Sequence, residues 1–320
     1  MISGVSIIIV NYKTSKLVFD LINSILKFNK KYDYEIIVID NNSEKKPNFN
    51  LQKIEINWNC LDSNNGFGYA NNIGLSKATK EMVLFLNPDT LFTDDSLDRS
   101  VDFYIKNYPE NKFGFLGCRL TNFQGDIQRS SYFRYPGLRC VWEESPLYSK
   151  IYKKKKTYLS NTIQKHNENH FAKWVCGAFL LIHKPILLEN NLKFNDIFFL
   201  YSEEVELCAR LNKLGYKHFY YKDSSLIHFE GNSSKLMSTK KSAQIIASEL
   251  LSIKLIHGFF YFFIYLIFSY FNLLLTSLLT FRSNKKINNF LILKKKILLS
   301  YGLKILFHKK FYKNKQLNLF

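Results

Sequence analysis

Two stretches decide the fold: Val5-Ser-Ile-Ile-Ile-Val-Asn-Tyr12 and Tyr34-Glu-Ile-Ile-Val-Ile-Asp40. Continuous apolar runs this rich in Ile and Val mark strands buried on both faces, as in a parallel sheet covered by helices. They end on polar residues, Asn11 and Asp40. Between them, Ser15 to Phe28 carries Leu17, Val18, Leu21, Ile22, Ile25 and Leu26 at helical spacing. Downstream, Ile54 to Trp58 reads as a weaker strand and Gly68 to Ala78 as a helix. Met82 to Leu86 reads as a strand running into Asn87-Pro88-Asp89-Thr90. This alternation predicts an α/β fold whose strands end in polar residues at their carboxyl ends, the edge where open α/β sheets bind ligands.

The middle of the chain is less regular. Its run Lys153 to Lys156 is open to two readings, a solvated loop or a phosphate-contacting one. Trp174 to His183 then reads as a strand. Glu203 to Leu214 reads as a helix with Leu207, Leu211 and Leu214 on one face and a Glu206–Arg210 pair one turn apart. Lys217 to Tyr221 is a short strand, and Leu226-Ile227-His228 leads into the turn Gly231-Asn232-Ser233-Ser234.

Composition narrows the class. With 320 residues and 47% hydrophobic content, the chain can bury a large core, which excludes wholesale disorder and a disulfide-stapled mini-protein. The five cysteines are scattered and lack C-x-x-C spacing, so they read as reduced thiols in a cytosolic setting and not as a zinc site. Ile7 to Val10 is too short for a secretory apolar region, so no signal peptide is expected.

The charge is uneven. Of the formal +19, most lies in Leu250 to Phe320, which holds 12 Lys/Arg and no Asp or Glu. An even spread of acids would put roughly 6 there. The same region contains Leu255 to Phe281, 27 residues with no charge. That length could span a bilayer, but a single crossing would carry the basic tail outside, against the positive-inside tendency. We therefore expect monotopic attachment to an anionic membrane surface, with a span and a buried helical subdomain as alternatives. The chain divides into 1–120, 121–240 and the membrane-associating tail 241–320. Nucleic-acid binding is disfavoured, since the basic excess flanks an apolar stretch and no nucleic-acid motif is present.

Several residues could carry chemistry. Asp40, ending a buried strand, could accept the imide N–H of uracil or thymine, or form an Asx turn. Asn64-Asn65-Gly66-Phe67-Gly68-Tyr69-Ala70-Asn71 opens a helix whose free N–H groups suit a diphosphate. The third glycine of a dinucleotide fingerprint is replaced by Asn71, which disfavours a nicotinamide or flavin site. Asp89 could ligate Mg2+ or Mn2+ together with a diphosphate, or close a type I turn. Glu203, Glu204 and Glu206 could be helix-start acids or could include a general base. His228 could be a ligand or a satisfied core residue.

Taken in order, VSIIIVNY, EIIVIDNNS, NNGFGYANNIG, LFLNPDT, WVCGAFLLI, FFLYSEEVELCARLNKLGY and HFEGNSS resemble the family 2 glycosyltransferases, most closely the rhamnosyltransferase-like branch. The resemblance covers about Val5 to Ser234. It implies a GT-A fold, with a mixed sheet flanked by helices. Asn11, Asp40, Asn65, Gly66, Asn71 and Asn87 would then line the nucleotide-sugar site. Asn87-Pro88-Asp89 stands for the D-x-D motif with an amide in first place, leaving Asp89 and His228 for the metal. Glu203-Glu204 matches the catalytic Glu-Asp pair, Glu204 taking the base position with one extra methylene. Trp174, Gly177, Ala178 and Glu206 would shape the acceptor side. The resemblance implies an inverting hexosyltransferase, and the basic apolar tail leads us to expect it at the cytoplasmic face of the inner (plasma) membrane. It would move rhamnose from dTDP-L-rhamnose to a lipid-linked saccharide for O-antigen or other cell-envelope polysaccharide. Alternatives are a UDP-sugar donor (galactofuranose, glucose or galactose), or a non-catalytic membrane scaffold of degenerate transferase fold.

Overall fold

The computed structural model describes residues 4–43, 56–143, 145–152, 163–229, 239–279, 292 and 294–307. Lys153 to Lys156, the 231–234 turn and Arg282 lie outside them.

Strand β1 (Gly4–Asn11) is buried along its whole length and pairs in parallel with β2 (Asp33–Asp40) and β4 (Met82–Leu86). With β3 (Ile56–Cys60) outside β2, these form the parallel part of the sheet, ordered β3-β2-β1-β4. Beyond β4 come β11 (Phe179–His183), antiparallel to β4, then β6 (Phe113–Thr121), β12 (Lys217–His228) and the two-residue β5 (Thr90–Leu91). Two short strands flank this path, β7 (Ile127–Gln128) on β6 and β9 (His170–Ala172) on β12. The expected mixed sheet flanked by helices is therefore present, and strands from both sides of residue 120 build it.

The alternation along β1 sets the layers. Ile7 and Ile9 face one core with Val18, Leu21, Ile22 and Ile25 of α1 (Ser15–Phe28) and Leu97 and Val101 of α3 (Ser96–Asn111). Ile8 and Val10 face the other, with Ala70 and Leu75 of α2 (Phe67–Lys77) and Leu207 and Leu211 on the helix Glu203–Lys213. Each fully buried side chain of this kind contributes about 1.5–3 kcal/mol.

Two expected elements differ in detail. Trp174 to His183 is not one strand. It breaks into β10 (Trp174–Val175), which pairs with β8 (Ser131–Tyr132) outside the main sheet, and β11, with a Phe179 N–H to Cys176 carbonyl turn between them. Conversely, Lys217 to His228 is one strand, absorbing its polar centre as a register shift between Tyr221 and Ser225. There Ser224 Oγ donates to the Ser96 carbonyl, and the Ser225 N–H to Ser96 Oγ.

The apolar tail also subdivides. Gly258, at φ 88°, separates the helix Thr239–His257 from the helix Phe259–Leu279, so the uncharged stretch is not a single helix. These helices and residues 297–305 form a third core that includes Val141 and Phe198 of the preceding domain.

Helix α2 lies so close to β1 that a Cβ at Gly74 would sit 2.3 Å from Ile8 Cγ2. Gly74→Ala must push the helix off the sheet, and we expect it to lower stability by about 1–3 kcal/mol, read from the urea midpoint.

Candidate active site

One edge of the sheet gathers the polar residues. The β1–β2 register sets Asn11 beside Asp40, both buried. Asn11 Nδ2 donates to Asp40 Oδ2 at 2.6 Å, and the Ser43 N–H donates to Asp40 Oδ1 at 2.5 Å. Asp40 therefore closes its own loop, each oxygen already holding one donor. The next residue, Asn41, donates to the Gly66 carbonyl at 3.1 Å and accepts the Asn65 N–H at 3.1 Å, tying the loop after β2 to the loop before α2.

Gly66 is required where it stands. Its φ is 96°, and a Cβ would lie 2.3 Å from the Phe199 carbonyl oxygen, which accepts the Phe67 N–H at 2.9 Å. Asn71, buried on α2, donates to the Phe67 carbonyl, and its Oδ1 has no partner among the described residues.

Asn87 and Asp89 follow β4. The Asn87 N–H donates to the Ala178 carbonyl at 3.1 Å, which joins the end of β4 to the start of β11. Pairing of β5 with β12 sets Thr90 opposite His228. It brings His228 Nε2 to 3.6 Å from Asp89 Oδ1, too long for a hydrogen bond. Gln128 on β7 fixes the imidazole: its Nε2 donates to the His228 carbonyl at 3.1 Å, so its Oε1 faces Nδ1 at 2.9 Å. Nδ1 thus carries the proton, and in the neutral ring the Nε2 lone pair faces Asp89. An imidazole nitrogen facing a carboxylate oxygen is a donor pair of the kind that holds a divalent ion. Among the described residues no group of three or more His, Cys, Asp or Glu is placed to hold a metal ion by itself. A divalent ion here would therefore rely on diphosphate oxygens and water for the rest of its shell.

The acids of the helix Glu203–Lys213 have unequal surroundings. Its first residue, Glu203, is 2% exposed, with Oε2 unpartnered among the described residues. Glu204 is half-buried, its carboxyl carbon 3.7 Å from where a Gly177 Cβ would stand. Glu206 is bound by Arg210 through three contacts of 2.9 to 3.0 Å, so its carboxylate is occupied by an ion pair. Tyr201 and Ser202 enter the helix with φ of 73° and 68°, conformations that cost L-residues energy and gather at functional sites. Trp174 stacks on Tyr132 with centroids 3.6 Å apart, and its Nε1 donates to the Arg134 carbonyl.

Residues 6–180, more than half of the chain, match the model for glycosyl transferase family 2. The chain belongs to that family. Rhamnosyltransferase WbbL of Escherichia coli strain K12 is 26% identical over 220 residues, 65% of this chain and 77% of WbbL. Mannosyltransferase PcManGT of Pyrobaculum calidifontis, solved with GDP-Man and Mn2+, superposes at TM-score 0.55 and 13% identity, over 96% of this chain and 88% of that one. GalNAc-T7, solved with UDP, GalNAc and Mn2+, gives 0.55 at 14% identity over 79% of this chain; the match spans about half of GalNAc-T7, 48%. These likenesses establish the GT-A-type fold.

In this glycosyltransferase, Gln128 and the strained pair Tyr201-Ser202 had no signal in the sequence. Gln128 sits in a polar segment, and positive φ at Tyr or Ser leaves no compositional mark. The Glu203–Glu204 pair is tuned by burial. Desolvation pushes the Glu203 carboxyl well above the usual carboxylate range, and the neighbouring Glu204 charge adds to the rise. Desolvation also raises Glu204, but backbone N–H groups of the helix start hold it lower. A raised carboxyl favours folding fully only below its unfolded value near 4.5, and that contribution is lost as pH rises through neutrality. Glu203→Gln removes this loss. Its melting temperature relative to wild type should therefore rise between pH 5 and pH 8, and parallel profiles for the two proteins would refute the burial argument.

Proposed function

We propose that this chain is an inverting, divalent-metal-dependent glycosyltransferase of cell-envelope polysaccharide synthesis. It moves L-rhamnose from dTDP-L-rhamnose to a hydroxyl of a lipid-linked saccharide, at the cytoplasmic face of the inner (plasma) membrane. The observation that carries the reading is one sheet edge with two distinct centres. Asp89 faces His228 across 3.6 Å, and Glu204 lies against Gly177, just ahead of β11. The donor choice rests on the likeness to a protein named rhamnosyltransferase and on the rhamnosyltransferase-like motifs.

The roles follow from position. Asp40 accepts the base imide N–H on lone pairs left open by Asn11 and Ser43, with Asn65 and Asn87 beside the nucleoside. The N–H groups at the start of α2 lie close to the diphosphate, where Gly66 and Gly68 permit backbone approach. Asp89 and His228 would hold Mg2+ or Mn2+, which when bound supplies neutralisation of charge on the departing nucleoside diphosphate. Glu204 takes the proton from the acceptor hydroxyl as that oxygen attacks the anomeric carbon from the face opposite the diphosphate. Its raised affinity for protons suits a base working near neutral pH. Burial raises the proton affinity of both carboxyls, and the Glu204 charge adds to the rise at Glu203, so the pair favours sharing one proton. Trp174, stacked on Tyr132, and Gly177 and Ala178 border the acceptor.

A donor panel with purified protein and Mn2+, scored by nucleoside diphosphate release, tests the assignment. Release from dTDP-L-rhamnose and not from UDP-glucose, UDP-galactose or UDP-galactofuranose is expected. Glu204→Gln should cut turnover by roughly 10²–10⁴-fold, and near-normal turnover removes Glu204 from the base role. Gln128→Leu frees the His228 ring and should weaken Mn2+ binding about tenfold or more, measured by electron paramagnetic resonance titration with the nucleoside diphosphate present.

A further inference from the structure

After α3 the helices run α4 (Leu138–Glu143), α5 (Pro146–Tyr152), α6 (Lys184–Glu189), α7 (Glu203–Lys213), α8 (Thr239–His257) and α9 (Phe259–Leu279). By length and composition α9 could cross a membrane. Its packing argues for a different placement. One stripe, Phe262, Tyr265, Ser269 and Leu273, is buried against the protein. Tyr261 Oη accepts the Leu138 N–H at 2.9 Å, and Asn272 Nδ2 donates to the Val141 carbonyl at 3.3 Å. These ties are eleven residues apart on α9, about 16 Å along its axis, and converge on one turn of α4, so α9 is held to it at two points. Glu143 on α4 is paired with Arg134 at 2.7 Å and Arg139 at 3.0 Å. A crossing α9 would drag this charged cluster into hydrocarbon.

The opposite stripe, Phe260, Ile264, Ile267, Phe271, Leu274 and Leu278, recurs every three or four residues and is 40 to 82% exposed. It continues across an apolar groove of about 390 Å3, shared with Leu298 and Leu303, onto the exposed Leu299. Lys296 and Lys304 are exposed on that same short helical segment, and no acid occurs from Leu250 to Phe320. An apolar stripe beside exposed lysines, on a stretch of chain without acids, matches an anionic bilayer interface.

We infer that the exposed face of α9, with the Lys296–Lys304 segment beside it, is an in-plane docking surface for an anionic bilayer, its axis along the membrane and not across it. This deepens the lipid-linked-acceptor reading and rests on it for its purpose. The segment from Arg134 to Glu143 joins the Trp174 indole, through the Arg134 carbonyl, to α9. Docking on this face therefore sets the acceptor side of the cleft next to the headgroups.

Flotation of the full chain with vesicles tests the surface. Binding to 7:3 phosphatidylcholine:phosphatidylglycerol vesicles is expected, at least tenfold tighter than to phosphatidylcholine alone. Ile267→Glu with Phe271→Glu should weaken it tenfold or more, and Lys296→Glu with Lys304→Glu, at exposed positions, should do the same without touching the apolar stripe. Retained binding in both double variants, or equal binding to neutral vesicles, overturns the proposal. So does a soluble dimer that ignores vesicles and is dispersed by the Ile267→Glu, Phe271→Glu double change, which would make the face a contact between two copies. Single Trp replacements of Phe260, Ile267 and Leu278, read against the wild-type background with brominated lipids, should report equal shallow depths. A deep middle position with shallow ends means a span and overturns the in-plane geometry. Nucleoside diphosphate release without vesicles is followed in parallel, so loss of catalysis and loss of docking are read separately.

Discussion

Ile7 and Ile9 point to one side of the sheet and Ile8 and Val10 to the other, and all four are buried. A strand apolar on both faces can be satisfied only in the middle of a sheet covered by helices on each side, with neighbours that are equally apolar. Polar side chains on such strands are forced towards their ends. That constraint places Asn11, Asp40 and Asn87 on a single edge. Because β11 runs the other way, its beginning, with Gly177 and Ala178, arrives at the same edge. The site is a product of what the core cannot hold.

The same constraint explains what was legible in the sequence. β1, β2, β4 and α1 stand out because their side-chain periodicity is imposed by two-sided burial or by one apolar stripe. The break inside Trp174 to His183 was hidden because Cys176, Gly177 and Ala178 are small and not polar, so the turn leaves no dip in hydropathy. The continuity of β12 was hidden for the opposite reason: Lys222, Asp223, Ser224 and Ser225 look like a loop, yet the two serines are used to bond Ser96. The motif residues were individually readable, and the meeting of Asp89 with His228 was implied by the family resemblance but not by any local periodicity. Asp89 and His228 are 139 positions apart in the numbering, and only the register of a two-residue strand joins them.

Departures from the family pattern find physical counterparts nearby. Where the resemblance leads one to expect an aspartate, Glu204 has an extra methylene, and the residue it reaches is a glycine that offers no side chain to obstruct it. Glu206, which the resemblance places on the acceptor side, is held by Arg210 in an ion pair with little exposure, a geometry that braces the helix. The +19 charge is uneven in the same way, mildly basic before Leu250 and free of acids from Leu250 to Phe320.

The short segment before α7 is shared property. The Phe199 carbonyl holds the start of α2, Phe198 is buried in the C-terminal core, and the Leu200 carbonyl accepts from Ser248 Oγ at 2.7 Å and from Gln244 Nε2 at 3.4 Å. The next two residues are the positive-φ pair that aims Glu203 and Glu204. The tail is thus a splint: a chain trimmed before Thr239 to gain solubility would lose the braces on the very peptide that sets Glu203 and Glu204 against α2.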